Sequence, residues 1–106
     1  MLNVLENDFD YCKVEGVKTQ TIDAILNINN NWIAQYSGME TTHDFNGINL
    51  VPLGAPNNCS KNIIGNTIFG SKKGGYGINV RSNQKNANII GNTINNSLIS
   101  CYIENY

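Results

Sequence analysis

Residues 62–68 read Asn62-Ile63-Ile64-Gly65-Asn66-Thr67-Ile68, and residues 88–94, Asn88-Ile89-Ile90-Gly91-Asn92-Thr93-Ile94, repeat the same seven letters. The step from 62 to 88 is 26 residues. Two looser copies lie upstream, Asn3-Val4-Leu5-Glu6-Asn7-Asp8-Phe9 and Asn27-Ile28-Asn29-Asn30-Asn31-Trp32-Ile33, separated by steps of 24 (3 to 27) and 35 (27 to 62). In register, the first column is Asn3, Asn27, Asn62, Asn88 and the second Val4, Ile28, Ile63, Ile89. The fifth column is Asn7, Asn31, Asn66, Asn92 and the seventh Phe9, Ile33, Ile68, Ile94. Apolar and asparagine columns hold while the others drift. A stack of coils demands this pattern, because each coil sets the same side chain above its counterpart in the next.

A second motif falls between the copies. Gly47-Ile48-Asn49-Leu50 and Gly77-Ile78-Asn79-Val80 are near twins; Gly16-Val17-Lys18-Thr19 fits more loosely, and Tyr102-Ile103-Glu104-Asn105 fits without the glycine. The segments are three to five residues long and rich in Ile, Val and Thr, which favours strands. No apolar stripe at i, i+3, i+4, i+7 is sustained, so helices are not expected. Coils of about two dozen residues cannot bury an apolar face alone and do so by stacking. A leucine-rich repeat is excluded by the scarcity of Leu. The expected architecture is all-β: a right-handed parallel β-helix of about four coils with three short strands per coil. Gly65 and Gly91 suit positive φ at a sharp corner. Asn7, Asn31, Asn66 and Asn92 then stack as a ladder, since an amide both donates and accepts.

A length of 106 residues gives one domain, 1–106, and 41% hydrophobic residues suffice for a core. With net charge −1, 14% charged residues and no basic run, nucleic acid is not an expected partner. No apolar stretch approaches the length that spans a bilayer, so no membrane is expected either. The start, Met1-Leu2-Asn3-Val4, lacks the basic and apolar regions of a signal peptide. Cys12, Cys59 and Cys101 are odd in number and match no metal spacing. They are expected as buried or half-buried free thiols, with no metal and no cofactor.

The N-I-I-G-N-T-I and G-I-N-V pattern resembles the right-handed β-helix of the pectate lyase superfamily, which includes polysaccharide lyases, pectin-degrading hydrolases and bacteriophage tailspikes. The resemblance covers nearly the whole chain, but rests on core and corner positions, so it speaks for fold more than function. It implies a structural and carbohydrate-binding segment, foremost of a bacteriophage tailspike or tail fibre in the virion tail, recognising a bacterial surface polysaccharide. The alternative it implies is a fragment of a secreted or cell-surface polysaccharide lyase or glycoside hydrolase; a non-enzymatic adhesin or stalk is a third. Full members have many more coils and cap their ends. The expectation is therefore a segment of a longer protein, or assembly as a homotrimer or by end-to-end stacking with further coils. Trp32, Phe69 and Leu98, apolar residues on outer turns, are candidates for such contacts.

Alternation along the G-I-x-V strand turns Ile48, Ile78 and Ile103 inward with Leu50 and Val80. The expected outward row is Lys18, Asn49, Asn79, Glu104, with a second row of Gln20, Val51, Arg81, Tyr106. Lys18, Asn49, Tyr76, Asn79, Arg81, Tyr102 and Glu104 are the candidate carbohydrate-binding residues: hydroxyls pair with amides and charges, and sugar faces pack on rings. The longest insertion, from Ala34 to Asn46, carries Gln35, Tyr36, Glu40, His43, Asp44 and Phe45. His43, Asp44 and Arg81 are the candidates for acid–base chemistry. No carboxylate pair recurs on the outward rows, and no convergent oxygen set for calcium stands out.

Overall fold

The structure is a computed structural model and describes residues 1–20, 24–36, 42–51, 59–70, 74–81, 86–95, 97 and 99–103. Among them lie twelve strands, three to a coil. The first coil holds β1 (Leu2–Leu5), β2 (Asp8–Cys12) and β3 (Glu15–Gln20); the second β4 (Leu26–Asn29), β5 (Trp32–Gln35) and β6 (Asn46–Val51). The third holds β7 (Lys61–Ile64), β8 (Thr67–Phe69) and β9 (Tyr76–Val80); the fourth β10 (Ala87–Ile90), β11 (Thr93–Asn95) and β12 (Ile99–Ile103). Corresponding strands of successive coils pair in parallel. They form three four-stranded sheets, β1-β4-β7-β10, β2-β5-β8-β11 and β3-β6-β9-β12. This is a four-coil parallel β-helix, as the repeat requires.

The core is built from the aligned columns. Asn27 pairs with Asn3 and Asn62, and Asn62 with Asn88, so the repeat fixes the register of the first sheet. Inward from it, Ile28 and Ile63 are fully buried between Val4 and Ile89. Ile33 and Ile68 do the same in the second sheet, and Ile48, Leu50, Ile78 and Val80 in the third. Each such side chain is worth about 1.5–3 kcal/mol of burial. The glycine of the G-I-x-V motif is a packing requirement: a Cβ on Gly16, Gly47 or Gly77 would strike the Cγ2 of Ile33, Ile68 or Ile94 in the adjoining sheet.

Two inward residues were not foreseen from the sequence. Phe45, assigned to the long insertion, is fully buried in the core. Its N–H donates to the Gly74 carbonyl at 3.1 Å. Lys61 occupies an inward column between Leu26 and Ala87 and is also fully buried.

The corner between first and second sheets is left-handed in every coil. Gly65 (φ 69°) and Gly91 (φ 64°) take the expected conformation, and Glu6 (φ 56°) and Asn30 (φ 58°) adopt it without being glycine. The next residue is the ladder asparagine. Asn7 donates Nδ2 to Asn31 Oδ1 (3.1 Å), Asn31 to Asn66 (2.9 Å), and Asn66 to Asn92 (2.9 Å). The backbone N–H of each donates to the same oxygen at 2.9–3.0 Å.

The last coil corrects the expected register. Tyr102 lies opposite Asn79, Cys101 opposite Ile78, and Ile103 opposite Val80. The sequence alignment had set Ile103 opposite Ile78, two residues out. A slip of two preserves inward–outward alternation, and this coil lacks the glycine that marks the frame in the other three. The Tyr102 ring, stacked on Tyr76, goes with the observed register.

Candidate functional site

The outward row of the third sheet is Lys18, Asn49, Asn79, Tyr102. Tyr102 takes the place expected of Glu104, which lies outside the described residues, as do Tyr106 and Leu98. Asn79 donates Nδ2 to Asn49 Oδ1 at 2.8 Å, and Asn49 donates to Glu15 Oε1 at 3.2 Å. Both asparagines are nearly buried, at 5% and 6% exposure. Their amides thus bond from coil to coil. Among the described residues Asn79 Oδ1, buried below Tyr102, has no hydrogen-bond partner.

At the upper end of the row the side chains become aromatic. The Tyr76 and Tyr102 rings stack with centroids 5.0 Å apart and planes 29° from parallel. The Arg81 guanidinium carbon lies 5.8 Å from the Tyr102 centroid, within cation–π range. At the lower end Lys18 Nζ lies 3.8 Å from Glu15 Oε1, an exposed pair of little energetic weight. Tyr76, Arg81, Tyr102 and Lys18 thus lie along one face.

The catalytic candidates are not brought together. His43 and Asp44 precede β6, whereas Arg81 follows β9. The five steps along β6 alone span about 16 Å. His43 Nδ1 lies 2.9 Å from Thr42 Oγ1, and Asp44 packs where Gly74 leaves room. Among the described residues no three His, Cys, Asp or Glu side chains converge as a metal site would need, and no helix is long and apolar enough to cross a membrane. Cys12 is half-buried; burial, then nearby Asp10, push its thiol pKa up. Cys101, in the last coil, is exposed rather than buried or half-buried as expected, and partial burial still pushes its thiol pKa up.

Sequence reasoning missed two features. The first column, recognised as a repeat, is itself a ladder: Asn27 donates to Asn3, Asn62 to Asn27 and Asn88 to Asn62, each at 2.8 Å. On the second sheet Trp32 and Phe69, treated separately as contact candidates, pack together with centroids 4.9 Å apart. The pairing of Trp32 with Thr67 and Ala34 with Phe69 brings the rings diagonally together, a neighbour relation readable once coils 2 and 3 are aligned. No family model matches the chain, and neither a curated protein nor a solved structure matches it.

Proposed function

We propose that this chain is a structural β-helix segment whose third-sheet face binds carbohydrate, of the kind used by bacteriophage tailspikes and tail fibres against a bacterial surface polysaccharide, and that its wider kinship is with the pectate lyase superfamily. The observation that carries this is the Tyr76–Tyr102 stack beside Arg81. Ring faces suit the C–H faces of a pyranose, and a guanidinium or ammonium within the same row pairs with hydroxyls or acidic substituents. A rigid parallel sheet presents these groups with little ordering cost on binding. No observation favours a lyase or hydrolase, because the candidate acid and base groups sit at opposite ends of the sheet.

The test is calorimetric titration against a panel of purified bacterial surface polysaccharides. Tyr102→Asn is the informative variant, since an amide there extends the Asn49–Asn79 row and keeps the fold while removing the ring. Tyr102→Asn and Tyr76→Ala should each weaken binding at least tenfold, and Trp32→Ala on the second sheet should leave it unchanged. Equal binding by all three, or no binding by the unaltered chain, overturns the proposal.

A further inference from the structure

The two asparagine ladders have opposite polarity. In the corner ladder each amide donates towards the next coil, from Asn7 to Asn31 to Asn66 to Asn92. In the first-sheet ladder each donates towards the preceding coil, from Asn88 to Asn62 to Asn27 to Asn3. The two ends of the solenoid therefore carry complementary groups. Among the described residues no donor reaches Asn7 Oδ1, and no acceptor meets Asn3 Nδ2. At the other end Asn92 N–H lacks an acceptor and Asn88 Oδ1 lacks a donor. Set head to tail in the same register, Asn92 would donate to Asn7 of the next copy, and Asn3 of that copy would donate to Asn88.

The apolar columns agree. Ile90 is 59% exposed and Leu5 45% exposed, and both belong to one outward column. The same column logic places Ala87 against Leu2, Ile89 against Val4, Ile94 against Phe9 and Cys101 against Val17. Tyr102 would meet Lys18, a cation–π pairing, and Thr93 would meet the Asp8 carboxylate. Among the described residues the strands β1, β2 and β3, like β10, β11 and β12, each have a neighbour on one side only, which leaves three open backbone edges at each end of the described coils. The ends are also broad faces: the molecule measures 37 × 27 × 19 Å, and the three steps between four coils, at about 4.8 Å each, fit only the short dimension.

We propose that copies of this chain stack head to tail, the β10–β12 coil of one seating the β1–β3 coil of the next, with both asparagine ladders continuous through the junction. Such a contact is heterologous and grows without closing. A head-to-head pair would set unmatched acceptors against acceptors in the corner ladder, so the two ends select each other and not themselves.

The test uses the 106-residue chain in light scattering over a concentration series, with two end-blocked variants. Asn3→Asp with Leu5→Lys blocks the head: the aspartate still accepts from Asn27, but turns an acceptor towards Asn88 of the neighbour. Ile90→Lys blocks the tail. All three substitutions are at exposed side chains, and circular dichroism checks that both variants fold. The unaltered chain should rise in mass beyond a dimer, and its Cys101 should be alkylated at least tenfold more slowly when concentrated than when dilute. Each variant alone should remain a single chain, and an equimolar mixture should form a one-to-one pair and nothing larger. A monomer at all concentrations, a mixture that does not pair, or self-association by the tail-blocked variant overturns the proposal. A defined trimer of the unaltered chain that persists in both variants would do so as well, by pointing to side-by-side contacts.

Discussion

Asn66→Ala should be among the most damaging single substitutions in this chain, although it removes only one small polar group. Asn66 is 1% exposed and sits mid-ladder. Its Oδ1 accepts from Asn31 N–H (3.0 Å) and Asn31 Nδ2 (2.9 Å); its Nδ2 donates to the Ile28 carbonyl (2.8 Å) and to Asn92 Oδ1 (2.9 Å). Alanine abolishes all four. Asn31 Nδ2 retains the Val4 carbonyl and Asn92 Oδ1 retains the Asn66 N–H, so those losses are partial. The Asn31 N–H is left buried without an acceptor. Stranding a buried donor costs about 1–3 kcal/mol, and the remaining bonds about 0.5–1.5 kcal/mol each, less what they recover elsewhere. The expected total is about 3–5 kcal/mol, against a typical domain stability of about 5–15 kcal/mol. Urea denaturation followed by circular dichroism measures it. Asn88→Ala is the control, an exposed asparagine with one 2.8 Å bond in the other ladder, expected to cost less than about 1 kcal/mol. Should Asn66→Ala fall within about 1 kcal/mol of the unaltered chain, or match Asn88→Ala, the ladder does not stabilise the stack as described.

Gly77→Ala should destabilise by about 1–3 kcal/mol, because its Cβ would meet Ile94 Cγ2 and lie 2.6 Å from the Ser100 carbonyl. Thermal unfolding should show a loss of roughly 4–8 °C per kcal/mol; an unchanged midpoint would mean that the last coil shifts freely. Cys12 should be alkylated more slowly in the native chain than in urea, because burial and Asp10 keep its thiol protonated. Its folded pKa lies above the unfolded value, so the stability this group contributes is intact below the ordinary thiol range and is lost as pH rises through the folded pKa. Stability that rises with pH across that window in the unaltered chain but not in Cys12→Ser would contradict the assignment.

The parts legible in the sequence are those where stacking forces identity. Two copies of seven residues fix the register of β7 with β10 and β8 with β11, and the asparagine column before each corner follows. The register of β12 was not legible. Ser100 replaces the glycine that marks this strand in the other coils, and two alignments differing by two residues place apolar side chains inward equally well. Phe45 and Lys61 were illegible for a different reason. Each is a single position with no repeat to expose it, and residue type alone assigned Phe45 to a loop and said nothing of Lys61. The candidate surface was half legible: Tyr76, Arg81 and Tyr102 stand out in the sequence, but alternation alone marks Asn49 and Asn79 as outward without showing that they are nearly buried and bonded from coil to coil.

The hydrogen-bonded run on the outward side of the third sheet stops where the candidate surface begins. Glu15, Asn49 and Asn79 pass a hydrogen bond from coil to coil, and a further amide at position 102 would receive the same treatment. Tyr102 stands there instead, and among the described residues no donor reaches the buried Asn79 Oδ1, a defect costing about 1–3 kcal/mol. The Tyr76 stack and the Arg81 contact offset that, at about 0.5–1.5 kcal/mol for an aromatic pair and about 0.5–1 kcal/mol or more for a half-buried cation–π contact. The two ranges overlap, so the local balance lies near zero, and stability alone does not select a tyrosine over an amide at this position. The other two ladders run through all four coils without such a break. A break confined to the row that carries the aromatic and cationic side chains is what a surface shaped for a ligand would show, and it singles out Tyr102 as the residue on which the proposed function most directly depends.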